Sequence, residues 1–129
     1  MNEDFLHYVW KFQKFSSVDL RTVQNESLQV LNVGNHNFDA GPDFLFGKVV
    51  VDGQVWAGTI EIHLQSSHWY AHRHEIDMRY DSVFLHVVWE HDMDIRRSDE
   101  TIIPTLVLKD CVERRVLHNY RKLFSSKQL

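Results

Sequence analysis

The sequence predicts an α/β domain in which a mixed sheet is flanked by helices, and three observations carry that prediction. Near the N-terminus Phe5, Leu6, Val9, Trp10 and Phe12 recur at helical spacing. Between Phe44 and Gln65 apolar and polar residues alternate on either side of Asp52-Gly53, the pattern of two strands joined by a tight turn. Towards the C-terminus Val112, Val116, Tyr120 and Phe124 return to the helical period. The 129 residues, 43% hydrophobic and 25% charged, suffice for a single domain with a sizeable core.

Taken in order, the first helix is expected over 3–15. Asn2 caps it, Glu3 and Asp4 stand where the helix dipole favours negative charge, and Lys11 and Lys14 lie near the other end. A polar connection over 16–27 leads to a short strand, 28–33, that stops at Gly34. Residues 35–42 read as a loop in which Pro42 drives Gly41 towards extended geometry, so the approach to Asp43 is stiff. Strands follow over 44–51 and 54–65. In the second, Trp56, Ile60, Ile62 and Leu64 share the core face, while Glu61, His63 and Gln65 share a face expected to open to solvent or a cleft. Residues 66–81 read as a loop and a short helix at about 70–79. The strand over 82–90, apolar on both faces, is expected to be central, and Pro104 assigns the strand over 101–109 to an edge. A closing helix over 111–124 is capped by Asp110. The order is helix, three strands, short helix, two strands, helix.

The net charge of −4 conceals an asymmetry. Residues 1–112 hold 9 Lys and Arg against 17 Asp and Glu, whereas Arg114, Arg115, Arg121, Lys122 and Lys127 face only Glu113 in the remainder. Such a basic face is either simply solvated or a contact for a polyanion such as nucleic acid. A lone cysteine, Cys111, excludes an internal disulfide and a cysteine-based zinc site. No apolar run approaches the length of a membrane span, and the opening MNEDFLHYVW carries acids where an export signal needs positive charge. A cytoplasmic protein with no membrane partner is expected.

Nine histidines raise the expectation of a metal or proton-transfer site. The candidate is Asp43, at the start of one strand, with Glu61-Ile62-His63 on the next. Two carboxylates on adjacent strands can hold magnesium or manganese, His63 can orient or deprotonate a water, and Gln65 can assist. Register decides whether they meet. With a two-residue turn and an uninterrupted ladder, Asp43 shares a face with Ile62, away from Glu61. A three-residue bulged loop, or an equivalent kink near Asp43, brings Asp43 to the face of Glu61 and His63.

The order of elements, Pro42-Asp43 before the second strand and Glu61-Ile62-His63 on the third resemble the PD-(D/E)XK nuclease-like superfamily. The resemblance covers roughly residues 3–90. It implies a restriction-endonuclease-like core (helix-strand-strand-strand-helix-strand), Asp43 and Glu61 as magnesium ligands, and cleavage of phosphodiester bonds in nucleic acid. His63 departs from the pattern, since the superfamily has Lys there, a fixed positive charge. The strings GPDF, WAGTIEIHLQSSHW and HRHEIDMRYDSVFLHVVWEHD more closely resemble the N-terminal part of an uncharacterised bacterial family known as a domain of unknown function. That resemblance implies no activity, and implies that the chain is the N-terminal part of a longer protein.

A different metal set is His72, His74 and Asp77, joined by His86; on a strand His72 and His74 share a face and on a helix they diverge. The His-x-His resembles that of cupin barrels, but residues 59–129 contain no glycine, which argues against one. Three functions follow: a phosphodiesterase with Arg114, Arg115, Arg121 and Lys122 on the nucleic-acid phosphates, an inactive nuclease-like binding or assembly module, or a His-rich metal-binding β domain. Glu61 with His63 also reads as an ion-paired couple on a solvent-facing strand, and His86 as a satisfied core histidine. His7, His36, His91 and His118 read as surface or loop residues without a role.

Overall fold

A computed structural model describes residues 1–126. Lys127 and the side chain of Phe124 lie outside the described residues. Among them are three α-helices, α1 (Glu3–Lys11), α2 (His68–Ala71) and α3 (Arg114–Ser126). Six strands form one sheet: β1 (Leu28–Asn32), β2 (Asn35–His36), β3 (Phe44–Val51), β4 (Gln54–Gln65), β5 (Val83–Glu90) and β6 (Thr105–Val107). The strand order is β1-β3-β4-β5-β6, with β2 continuing the edge of β3 beside β1. Pairings up to β4 are antiparallel, whereas β4–β5 and β5–β6 are parallel. The mixed α/β class is as the sequence predicts.

The Asn2 side chain accepts the Phe5 N–H at 3.0 Å, and the apolar stripe of α1 buries Phe5, Leu6, Val9 and Trp10. The helix stops at Lys11 rather than 15 because Gln13 turns left-handed, at φ +50°. These side chains join Phe44, Ile60, Ile62, Leu85 and Val87 in the main core. α3 lies on the same side, with Tyr120 edge-on to Phe5 at 5.1 Å. It begins at Arg114, so Asp110 does not cap it and sits in a 3-10 turn instead.

The segment 66–82, which crosses from β4 to its parallel neighbour β5, covers the opposite face. It is not one helix over 70–79 but α2 followed by 3-10 turns at His74–Ile76 and Met78–Tyr80. Arg73, left-handed at φ +58°, breaks the helix between them. Trp69 and Tyr80 from this segment pack with Val83, Ile95 and Ile103 into a second, smaller core. Glu61 and His63, expected at solvent, are therefore buried beneath it. β5 is central, flanked by β4 and β6, and β6 closes the sheet edge after Pro104. No helix among the described residues is long and apolar enough to cross a membrane.

The hairpin between β3 and β4 takes the two-residue turn. Val51 pairs Gln54, with Asp52 at φ +46° and Gly53 at φ +80°, the doubly positive geometry that matches strand twist. The register then shifts between Gly47↔Gly58 and Phe44↔Ile60. The extra β3 residue is accommodated where Phe46 turns left-handed at φ +61° with its ring in solvent. One residue beyond Phe44↔Ile60, Asp43 lies opposite Glu61. The kink near Asp43, not a longer turn, brings the two acids to one place.

Candidate metal centre

Asp43 is held from both sides. Asn37 donates through Nδ2 to the carbonyls of Ala40 and Pro42 at 3.1 and 3.0 Å, and its N–H donates to the Asp43 carbonyl at 2.8 Å, closing the loop. The Asp43 carboxylate accepts the Ile62 N–H on Oδ2 at 2.8 Å, and the Asp43 N–H donates to Glu61 Oε1 at 3.1 Å. Each acid thus ties down the backbone of the other's strand. Burial would raise the Asp43 pKa, but the facing His7, Glu61 and the Ile62 N–H outweigh it and hold the group low. Burial and the Asp43 charge push Glu61 the other way, up to about 10. Two acids this close divide into one ionised and one neutral, as like charges must.

Glu61 Oε2 faces two imidazoles. His74 Nε2 stands 2.8 Å away and His63 Nε2 3.4 Å. His63 Nδ1 lies 2.7 Å from His86 Nε2, a hydrogen bond that fixes the ring. His72 completes a group with His63 and His74 whose potential ligand atoms all lie within 4.8 Å of one another. The left-handed Arg73 makes this possible, because neither a strand nor a continuous helix runs from His72 to His74. His74 stacks on Tyr80 at 3.6 Å between ring centroids, which holds it from the far side. His63, His72 and His74 form a group fit to hold a metal ion.

The electrostatics agree with a crowd of neutral imidazoles. Burial, then the neighbouring His72, lowers His74 to about 4; burial, then His74, lowers His86 to about 3. Burial followed by His86 likewise lowers His63. Neutral imidazole is the form that binds metals.

The two candidate sets of the sequence thus meet in one place. Asp43, Glu61 and His63 converge with His72 and His74, so the ribbon and the His-x-His segment are halves of one cluster. Asp77 is not part of it; Arg79 Nε bonds both its carboxylate oxygens, at 3.0 and 3.1 Å. Gln65 ends β4 exposed, and Arg114, Arg115, Arg121 and Lys122 lie exposed on α3. His86 is buried as expected but only half satisfied, since Nδ1 has no hydrogen-bond partner among the described residues.

Two histidines were missed. His7, on α1, places Nε2 at 3.6 Å from Asp43 Oδ1, an ion-pair distance. His68, at the start of α2, lies 6.0 Å from His63 between ring centroids. His7 follows the acids of a helix and His68 follows a serine pair, so neither has a local pattern that marks it. His36 also belongs here, 5.1 Å from His7 between centroids and stacked on Phe44. His91, by contrast, braces a turn, with Ser66 Oγ at 2.8 Å and Asp94 Oδ1 at 3.0 Å.

Comparison with curated proteins and with solved structures gave no match. A family match, however, runs over residues 3–129, and the chain belongs to the family described as protein of unknown function (DUF2851).

Proposed function

We propose that this domain is a divergent metal-dependent phosphodiesterase acting on nucleic acid, with Asp43, Glu61 and His63 at its centre. The observation that carries the reading is the bulge at Phe46, which sets Asp43 opposite Glu61 across two strands. A restriction-endonuclease-like core is supported by the antiparallel β1, β3 and β4 followed by a parallel crossover to β5. The exposed basic side chains Arg114, Arg115, Arg121 and Lys122 of α3 support a phosphate contact beside α1, on which α3 packs.

The donor set departs from what magnesium asks for. Asp43 Oδ2 and Glu61 Oε1 already accept backbone N–H groups, and Glu61 Oε2 faces imidazoles rather than water or oxygen donors. Manganese or a softer divalent ion fits better. A bound ion of that kind supplies Lewis acidity and an acidified water. Of the chain's own groups, Asp43 and Glu61 fix the carboxylate geometry. His63 is pinned by His86, a ligand's placement more than a base's. His7, half-buried at the rim beside Asp43, is the proton carrier best placed to serve the leaving oxygen.

The test is incubation of plasmid and single-stranded DNA with the protein and Mn²⁺ or Zn²⁺, alongside Asp43→Ala. Cleavage by the native chain and loss of it in the variant is expected. Equal cleavage by both indicates contamination and ends the reading. Cleavage by neither favours the second reading, an inactive binding or assembly module. The near-complete burial of Glu61 and His63, 4% and 1% exposed, supports that alternative.

A further inference from the structure

We propose that the cluster is a transition-metal centre of the zinc type, its ion held by Nε2 of His63, Nε2 of His74, His72 and Oε2 of Glu61, with His86 as the outer partner that orients His63. Magnesium is not its ion. The assignment concerns the same place as the phosphodiesterase reading but stands without it.

The first support is a contact that is too close to be idle and not shaped as a hydrogen bond. His74 Nε2 lies 2.8 Å from Glu61 Oε2, yet it is buried with no hydrogen-bond partner among the described residues. Leaving a buried polar atom unsatisfied is costly. Two polar atoms converging out of hydrogen-bond alignment is the arrangement two ligands adopt on one ion. Donors 2.0–2.1 Å from a common ion stand about 2.9 Å apart at a right angle and about 3.3 Å apart at the tetrahedral angle. The separations from Glu61 Oε2, 2.8 Å to His74 and 3.4 Å to His63, fall beside those values.

The second support is the outer layer. His63 uses Nδ1 to meet His86 Nε2 at 2.7 Å, so its Nε2 is left facing Glu61 and the cluster. Metal-bound histidines are held in this way, the far nitrogen donating to an acceptor that fixes tautomer and ring orientation. Packing alone gives no reason to gather several imidazoles about one buried acid. The third support is donor chemistry: imidazole suits zinc and its neighbours, whereas magnesium demands oxygen donors in octahedral array. His72 alone of the three histidines is exposed, and it marks the side from which an ion enters.

The test uses the untagged chain, stripped with a chelator and titrated calorimetrically with ZnCl₂ and, separately, MgCl₂. One equivalent of zinc is expected to bind, at least about 100-fold more tightly than magnesium. His72→Ala, whose exposed side chain is not needed for the core, is expected to weaken zinc binding by about tenfold or more. His118→Ala, on α3, is expected to leave it unchanged. Zinc is also expected to raise the melting temperature of the native chain and of His118→Ala more than that of His72→Ala. Equal affinity for the two metals, or zinc affinity indifferent to His72→Ala, overturns the assignment. Tight zinc binding without DNA cleavage upholds the centre and removes the phosphodiesterase; magnesium-dependent cleavage by a chain that does not bind zinc does the reverse.

Discussion

Glu61 shows most sharply how a single residue acquires a meaning that its type does not carry. On the sequence it is one acid on an alternating strand. In the fold it is buried beside a second carboxylate and two imidazoles, with its pKa raised by burial and by Asp43. The surrounding histidines shift the other way, and the two effects oppose each other in stability. Below about pH 6.5 an unfolded chain protonates its histidines, while the fold refuses protons until about 4 at His74 and about 3 at His86. Stability from these groups is therefore present above 6.5 and lost as the pH falls through that window. Glu61 keeps, in the fold, a proton that the unfolded chain releases above 4.5, so its contribution is full below 4.5 and lost as the pH rises towards about 10. The metal-free chain is expected to be most stable near neutrality. The unfolding free energy should fall on both sides, by about 1–3 kcal/mol on going down to pH 5. Urea denaturation across pH in the presence of a chelator measures this, and a flat profile would contradict it.

At the scale of elements, the β3–β4 ribbon decides whether a site exists at all. The turn chemistry of Asp52-Gly53 was legible and gives the two-residue loop. An uninterrupted ladder from that loop would set Asp43 opposite Ile62, on the wrong face. The left-handed Phe46 corrects the register, and nothing in FLFGKVVV announces it. A non-glycine residue in that conformation costs about 1–2 kcal/mol, and the Phe46 ring, 76% exposed, recovers little by burial. Phe46→Gly is thus expected to match or exceed the native stability by up to about 1 kcal/mol. The β-branched Phe46→Val is expected to lose about 1–2 kcal/mol. Equilibrium unfolding of the pair checks this, and equal stability of the Gly and Val variants would argue against a left-handed bulge. At Gly47 next to it, a Cβ would stand 2.5 Å from Ile60 Cδ1, so the buried Ile60 side chain would have to shift to admit one.

Over the whole molecule, Asp43 and Glu61 are the acids that meet in the cluster, while the basic residues Arg114, Arg115, Arg121 and Lys122 lie exposed on α3. The α1 helix joins the two, packing α3 against its Phe5 and Tyr8 while offering His7 to Asp43. If α3 holds nucleic acid, reversing Arg114 and Lys122 to Glu should weaken binding of single-stranded DNA at low salt. The slope of log affinity against log salt should fall by about 1–3, while zinc affinity stays the same. Fluorescence anisotropy over a salt series reads it, and an unchanged slope would leave α3 as a solvated face.

By itself the sequence determined the α/β class, the strands over 44–51 and 54–65, the central β5 and the edge at Pro104. It also singled out Asp43, Glu61, His63, His72 and His74 as candidate residues. These follow from periodicity and from turn residues, which are local properties of the chain. The tertiary structure decided that Asp43 meets Glu61, that His72 and His74 belong to the same cluster as His63, and that His7 and His68 join its rim. The physical reason is that convergence depended on two backbone departures, the left-handed Phe46 and Arg73, and on a crossover segment closing over the sheet face. Both residues are of kinds that rarely adopt that conformation, so only packing over the entire sheet selects it.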